Sequence, residues 1–132
     1  MAITSPDKLN ERYNALFRVA DLENLMTLYE PDAVLAPAPG TELRGHAEIR
    51  AQLKKLLKMR GELISTQLSC TRHGDIALLQ ARWSFTGNGP TGNTVVMGGV
   101  SSKLARRGAD GAWRFAIDLP ATPPGQARDV GG

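Results

Sequence analysis

The chain has 132 residues, which is enough for one domain and too short for two of ordinary size. Its 42% hydrophobic and 22% charged residues are typical of a soluble globular protein and exclude collagen-like repeats and wholly disordered chains. Sixteen lysines and arginines against thirteen acidic residues leave a net charge of +3, too small and too dispersed to indicate nucleic-acid binding.

Compartment and membrane association are also constrained by composition. No apolar run reaches the roughly 18–20 residues of a membrane helix, and the first residues contain no hydrophobic core of a signal peptide. The single cysteine excludes an intrachain disulfide framework and suits a reducing compartment. We therefore expect a cytoplasmic protein with no membrane partner.

Apolar residues at helical spacing predict two helices at the start of the chain. The first begins near Ser5, a plausible N-cap, and carries an apolar stripe that includes Tyr13 and Phe17. The second is short, with its stripe over residues 22–29, and Pro31 is predicted to end it.

The rest of the chain is predicted to contain one more helix and several strands. A short strand, a turn and a return strand are predicted over residues 33–45, followed by a third helix from about His46 to Arg60. Helices grouped at the start and hairpin-linked strands at the end predict an α+β fold in a single domain over residues 1–119, with a flexible tail over residues 120–132. The predicted long strands are residues 63–70, 76–86, 94–107 and 113–119.

Three stretches carry a family resemblance: RYNALFRVADLENLMTLYEPDAVL, LRGHAEIR and SSKLARRGADGAWRFAIDLP, which together span residues 12–120. They resemble the nuclear transport factor 2-like superfamily, which includes ketosteroid isomerases and SnoaL-like polyketide cyclases. The resemblance implies a cystatin-like cone in which three N-terminal helices pack on a curved antiparallel sheet and enclose a pocket. It also implies a homodimer formed through the outer sheet face, where Ile76, Leu78 and Val96 are expected.

Other motif matches in the sequence are better explained by structure than by chemistry. Residues 87–92 match a dinucleotide-binding glycine pattern, but the β-branched residues that follow predict a hairpin, not the required helix. Neither His46 nor His73 has a second ligand at metal spacing, so we expect no metal and no cofactor. The lysines of the third helix lack aromatic partners for base stacking, so we expect no nucleic-acid partner.

The resemblance to ketosteroid isomerases also implies catalytic positions. Tyr13 matches the family tyrosine that donates a hydrogen bond to the substrate oxyanion. The two family carboxylates fall on Pro37 and Lys103. Proline cannot abstract a proton, and lysine is cationic where a neutral acid is required, so steroid isomerase activity by that route is not expected.

Strand register predicts a different acid/base pair. Pairing residue 107 with residue 112 across the turn puts Lys103 and Asp118 diagonally on one sheet face. We predict Asp118 as general base, Lys103 as the group that holds it ionised or stabilises an oxyanion, and Tyr13 as hydrogen-bond donor. A structural ion pair at the cavity rim is the alternative. The residues predicted to contact the substrate are Phe17, Trp83, Met97 and Ser101.

Two functions remain open on this reasoning. The first is an enzyme with general acid/base chemistry, of isomerase, cyclase or hydrolase type, on a hydrophobic carbonyl-bearing small molecule. The second is a non-catalytic ligand-binding or dimerisation module of the same fold. Loss of both isomerase carboxylates favours the second, whereas the predicted grouping of Tyr13, Lys103 and Asp118 favours the first.

Overall fold

The computed structural model describes residues 2–121, so residues 122–132 of the predicted tail lie outside the described part of the chain. A short 3-10 turn, three α-helices and six strands follow one another. Their bounds are Pro6–Lys8 for the 3-10 turn, Leu9–Arg18 for α1, Leu22–Met26 for α2, Tyr29–Ala38 for β1, Thr41–Arg44 for β2, Gly45–Lys58 for α3, Glu62–His73 for β3, Ile76–Asn88 for β4, Thr94–Arg107 for β5 and Trp113–Leu119 for β6.

The six strands form one sheet in the order β2-β1-β6-β5-β4-β3. The α+β architecture predicted from the sequence is confirmed. Four of the five strand pairings are antiparallel, as expected, but β1 and β6 run parallel, so the sheet is mixed. The parallel pair arises because α3 carries the chain to the far edge, from which the hairpins β3 to β6 return to β1.

The helices pack on one face of the sheet and form the core with it. α1 contacts β3, and α3 contacts β1 and β2. The alternating burial of β4 shows that its odd-numbered residues 77–85 face the helices, as the predicted position of Trp83 requires. The most deeply buried large side chains are Leu9, Leu25, Tyr29, Ile49, Leu53, Phe85, Trp113 and Phe115.

The second helix is shorter than predicted. Asp21 caps it by accepting a hydrogen bond from the backbone N–H of Asn24 at 3.2 Å, and the helix ends at Met26. Tyr29 and Pro31, assigned from the sequence to the helix and its end, both lie in β1. Proline disfavours helical backbone in the residue before it, so the chain is already extended when it reaches Pro31.

The hairpin of β5 and β6 departs from the predicted register. Arg107 pairs with Trp113 instead of Ala112, and a bulge at Ala116 shifts the register by one further residue. Lys103 is therefore directly opposite Asp118, not diagonal to it. The turn accounts for the first difference, because the backbone N–H of Ala112 donates to the side chain of Asp110 at 3.1 Å and the strand resumes only after it.

The outer face of the sheet is rich in exposed aliphatic side chains. Ile76, Leu78 and Val96, predicted on the side opposite the cavity, are 41%, 47% and 71% exposed. Ile64 and Leu68 of β3 are also more than a third exposed. No helix in the region 2–121 is long and apolar enough to cross a membrane.

Candidate functional site

A cavity of about 90 Å³ lies between α1, α3 and the inner face of the sheet. This is several times the ~10–15 Å³ that one water molecule needs, so the cavity is larger than a single-water site. Pro37, matched from the sequence to the position of the first family carboxylate, lines it too. The seven residues predicted for the site all line this one cavity: Tyr13, Phe17, Trp83, Met97, Ser101, Lys103 and Asp118.

Asp118 is the buried acidic group of the cavity, with 3% of its surface exposed. Its Oδ2 atom accepts a hydrogen bond from the Tyr29 hydroxyl at 2.6 Å and lies 3.6 Å from Nζ of Lys103. Its Oδ1 atom is buried and has no hydrogen-bond partner within residues 2–121. One carboxylate oxygen is thus engaged by the protein, while the other keeps its capacity to accept a hydrogen bond.

Lys103 is buried beside this carboxylate, its side chain only 11% exposed. Its ammonium nitrogen lies 4.2 Å from the centroid of the Tyr13 ring and 4.7 Å from that of Phe115. Both distances are within the range of a cation–π contact. One carboxylate and two ring faces therefore stabilise the positive charge inside the cavity wall.

The two tyrosines of the site remain protonated at neutral pH. Burial raises the pKa of Tyr13 well above its usual value, the negative charge of Asp118 raises it further, and hydrogen bonding with Tyr29 lowers it slightly. The pKa of Tyr29 is raised for the same two main reasons, burial first and Asp118 second. The proton of the Tyr29 hydroxyl is used in the hydrogen bond to Asp118, so Tyr13 is the tyrosine that can donate to a developing oxyanion.

The sequence did not point to Tyr29 as a site residue, because its spacing from Leu22 and Leu25 fits a helical stripe. The available signal was Pro31, since a residue before proline prefers extended backbone. An earlier helix end would have placed Tyr29 in the first strand.

Aromatic rings form the apolar wall of the cavity. The Tyr13 and Phe17 rings stack with centroids 6.1 Å apart, and Phe17 meets Phe85 edge-on at 5.9 Å. The indole N–H of Trp83 donates to the backbone carbonyl of Pro120, which fixes the ring beside the end of β6. An apolar, ring-containing ligand fits such a wall.

The two predicted contacts on β5 differ in what they offer a ligand. Ser101 is 5% exposed, and its hydroxyl donates to the backbone carbonyl of Ala81 at 3.4 Å. Met97 is half-buried and contributes a flexible apolar side chain to the cavity wall.

A polar wall joins α1 to β3. Nδ2 of Asn14 donates to the backbone carbonyl of Ser65 at 3.4 Å, and the Ser65 hydroxyl donates to Oδ1 of Asn10 at 3.3 Å. Oδ1 of Asn14 is buried and unpaired among the described residues. Sequence reasoning missed this wall; the signal was the spacing of Asn10 and Asn14, four residues apart beside the apolar stripe of α1.

The histidine and cysteine side chains considered as candidate metal ligands or nucleophiles have structural roles instead. The ring nitrogen Nε2 of His46 lies 2.9 Å from the backbone carbonyl of Tyr29 and hydrogen bonds with it. Burial raises the pKa of the Cys70 thiol, so it is protonated and unreactive at neutral pH. No group of three or more His, Cys, Asp or Glu side chains with metal-binding geometry occurs in the described region.

The chain belongs to the SnoaL-like domain family, whose model matches residues 10–123. The family resemblance noted from the sequence is therefore confirmed. No curated protein matches the sequence.

Solved structures with the same fold are similar to the chain at low identity. A ketosteroid isomerase-like protein from Erwinia carotovora atroseptica has a TM-score of 0.75 and 19% identity, over 87% of this chain and 91% of that one. A nuclear transport factor 2-like protein with a cystatin-like fold, from Novosphingobium aromaticivorans, has a TM-score of 0.70 and 22% identity, over 94% and 83%. A nuclear transport factor 2-like superfamily protein from Salmonella enterica has a TM-score of 0.74 and 19% identity, over 88% and 87%. Likeness at these identities shows the fold alone.

Proposed function

We propose that the protein is a small-molecule enzyme in which Asp118 is the general base for a hydrophobic substrate with a carbonyl group. The observation that carries the proposal is the unequal use of the two Asp118 oxygens. Oδ2 is held by Tyr29 and Lys103, whereas Oδ1 is buried and without a partner among residues 2–121. A carboxylate fixed by one oxygen, with the other available in an apolar cavity, is arranged for proton abstraction.

The chemistry that these groups support is abstraction of a proton from the carbon next to the carbonyl. Oδ1 of Asp118 takes the proton, the electron pair of the broken C–H bond forms the enolate, and negative charge moves to the substrate oxygen. The Tyr13 hydroxyl donates a hydrogen bond to that oxygen. Lys103, already beside Asp118, stabilises the enolate as the carboxylate becomes neutral. Reprotonation of the enolate at another carbon isomerises the substrate, and attack of its carbon on a second carbonyl of the same molecule cyclises it; hydrolysis would instead use Asp118 to activate a water molecule.

A ketone with exchangeable α-protons tests this step directly. With unsubstituted tetralone in deuterated water, the protein should accelerate α-proton exchange, and Asp118→Asn should lower the rate by about 10²–10⁴-fold. Asp32→Asn removes an exposed carboxylate from β1 and is the matched control. Equal exchange rates for Asp118→Asn and the unmodified protein, both folded, would rule out Asp118 as the base.

The second candidate function is a non-catalytic ligand-binding or dimerisation module. Pro37 and Lys103, which the resemblance places at the two family carboxylates, favour it, because proline cannot abstract a proton and lysine is cationic where the family uses a neutral acid. Tetralone that raises the melting temperature without α-proton exchange would support this function over the enzyme.

The proposal includes a homodimer that forms through the outer sheet face, in the cytoplasm. The exposed Ile76, Leu78 and Val96 support it, since monomeric soluble proteins rarely leave a contiguous aliphatic face in water. Sedimentation of the unmodified protein should give a dimer, and Leu78→Asp should give a monomer. Lys54→Asp changes an exposed position on α3 and should leave the dimer intact. A monomer at micromolar concentration would contradict this part of the proposal.

A further inference from the structure

We infer that the substrate carries a second polar group, a hydroxyl or N–H donor, that binds Oδ1 of Asn14. This inference rests on the proposed function, which assigns the ketone to Asp118, and it narrows the substrate class to hydroxylated or amino-substituted ring ketones. Asn14 is on α1 directly after Tyr13, and its side chain lines the same cavity as Asp118.

The orientation of the Asn14 amide is fixed by its neighbour on β3. Its nitrogen faces the backbone carbonyl of Ser65 at 3.4 Å. A reversed amide would bring two acceptor oxygens together, which is unfavourable. The Ser65 hydroxyl is itself committed to Oδ1 of Asn10 at 3.3 Å, so it cannot turn to Asn14. The Asn14 oxygen is therefore held as an acceptor.

Within residues 2–121, Oδ1 of Asn14 lacks a hydrogen-bond donor. It is buried, and no donor in the described part of the chain reaches it. A buried acceptor without a hydrogen bond costs free energy, so a bound molecule that supplies a donor to it gains affinity. Oδ1 of Asp118 is the other cavity oxygen in this state.

The two acceptors are held by strands that are three positions apart in the sheet. Asn14 is joined to β3 through Ser65, whereas Asp118 is on β6, and β4 and β5 lie between those strands. Three strand spacings amount to ~14 Å between the backbones, before the side chains reach inward. The aromatic wall formed by Phe17 and Trp83 lines the same space. A fused ring system with a ketone at one end and a donor at the other matches this arrangement.

A matched pair of ketones provides the test. Unsubstituted tetralone and a tetralone with a hydroxyl on the ring remote from the ketone are titrated into the unmodified protein, Asn14→Leu and Gln52→Leu by calorimetry. Leucine is close in size to asparagine but offers no acceptor, and Gln52 is another cavity amide whose oxygen is not buried without a partner. Circular dichroism verifies that each variant is folded.

The hydroxylated ketone should bind the unmodified protein about tenfold more tightly than tetralone, the effect of one buried neutral hydrogen bond. Asn14→Leu should abolish this preference while binding tetralone undiminished, and Gln52→Leu should retain it. Tetralone that binds and exchanges its α-protons, with no preference for the hydroxylated ketone, would overturn this inference alone. The inference would also be overturned if Asn14→Leu kept the preference for the hydroxylated ketone, or if Gln52→Leu lost it. If neither ketone binds, the proposed function fails and the inference fails with it.

Discussion

The hydroxyl of Tyr29 donates a hydrogen bond to Oδ2 of Asp118 across 2.6 Å, which links β1 to β6 inside the sheet. Because β1 and β6 run parallel, a residue near the start of β1 reaches one near the end of β6 only through a long side chain. The chain contains two tyrosines, Tyr13 and Tyr29, and both line the cavity. Tyrosine spectroscopy therefore reports on this site alone.

The alkaline titration of these tyrosines should coincide with unfolding. Burial and Asp118 raise the pKa of Tyr13 and Tyr29 above the ordinary value of 10.0, so the folded state binds their protons more tightly than the unfolded chain does. Stability is therefore retained below pH 10 and decreases as the pH rises above it. Near-ultraviolet tyrosinate absorbance should appear only with the loss of far-ultraviolet dichroism.

Tyr29→Phe is the control for this titration. It leaves Tyr13 as the single tyrosine, and the absorbance change should halve while still accompanying unfolding. An ordinary tyrosinate titration near pH 10 in the folded protein would show that the hydroxyls are open to water.

Lys103 and Asp118 should be strongly coupled in stability. Lys103→Met removes the cation but keeps much of the side chain, which leaves a buried carboxylate without its charge partner and should cost about 3–5 kcal/mol in the free energy of unfolding. Adding Asp118→Asn should restore part of that loss. Urea unfolding of both single variants and the double variant measures the coupling; additive losses would mean that the two charges do not interact.

Trp113 should be a main stabilising residue of the β5–β6 hairpin. It is 1% exposed, and the Arg72 and Arg107 guanidinium carbons lie 5.0 and 5.8 Å from its ring centroid. Trp113→Ala should cost about 3–5 kcal/mol in the free energy of unfolding, and Trp113→Phe much less. An unchanged melting temperature for Trp113→Ala would contradict the packing described.

Gly87 should control the size of the cavity through Phe85. A Cβ atom added at Gly87 would lie 2.9 Å from the Phe85 ring and 3.1 Å from Cβ of Met59. Gly87→Ala should therefore displace the ring, weaken tetralone binding and cost about 1–3 kcal/mol of stability. The double variant Gly87→Ala/Phe85→Leu should recover tetralone binding, because leucine at position 85 leaves room for the added methyl group. Binding that stays weak in the double variant would show that the clash with Phe85 is not the cause.

The regular elements were predictable because their signals are local. The stripe of α1, the alternation of β4 and the bounds of β5 and β6 depend on the residues within each element. Tyr29 was assigned to the helix because its spacing from Leu22 and Leu25 fits a helical apolar stripe. The helix has only five residues, and the apolar spacing continues by chance into the next strand. Parallel pairing with Phe115 of β6 holds Tyr29 in β1, in agreement with the extended backbone that Pro31 favours just after it.

The register predicted for β5 and β6 was wrong, yet Lys103 and Asp118 were still assigned to the same face of the sheet. Lys103 was paired two residues away from its actual partner, Asp118, and a shift of two returns a side chain to the same sheet face. Strict alternation along β6 would nevertheless place Phe115 and Asp118 on opposite faces. The bulge at Ala116 brings both inward, and nothing in the local sequence marks it.

The bulge at Ala116 divides β6 into two parts with different roles. Residues 113–115 anchor the hairpin in the core, and residues 117–119 present the carboxylate to the cavity. We expect deletion of Ala116 to restore regular pairing and to keep Asp118 opposite Lys103. Substitutions in residues 117–119 can then change the groups beside the cavity, while residues 113–115 keep the hairpin packed in the core.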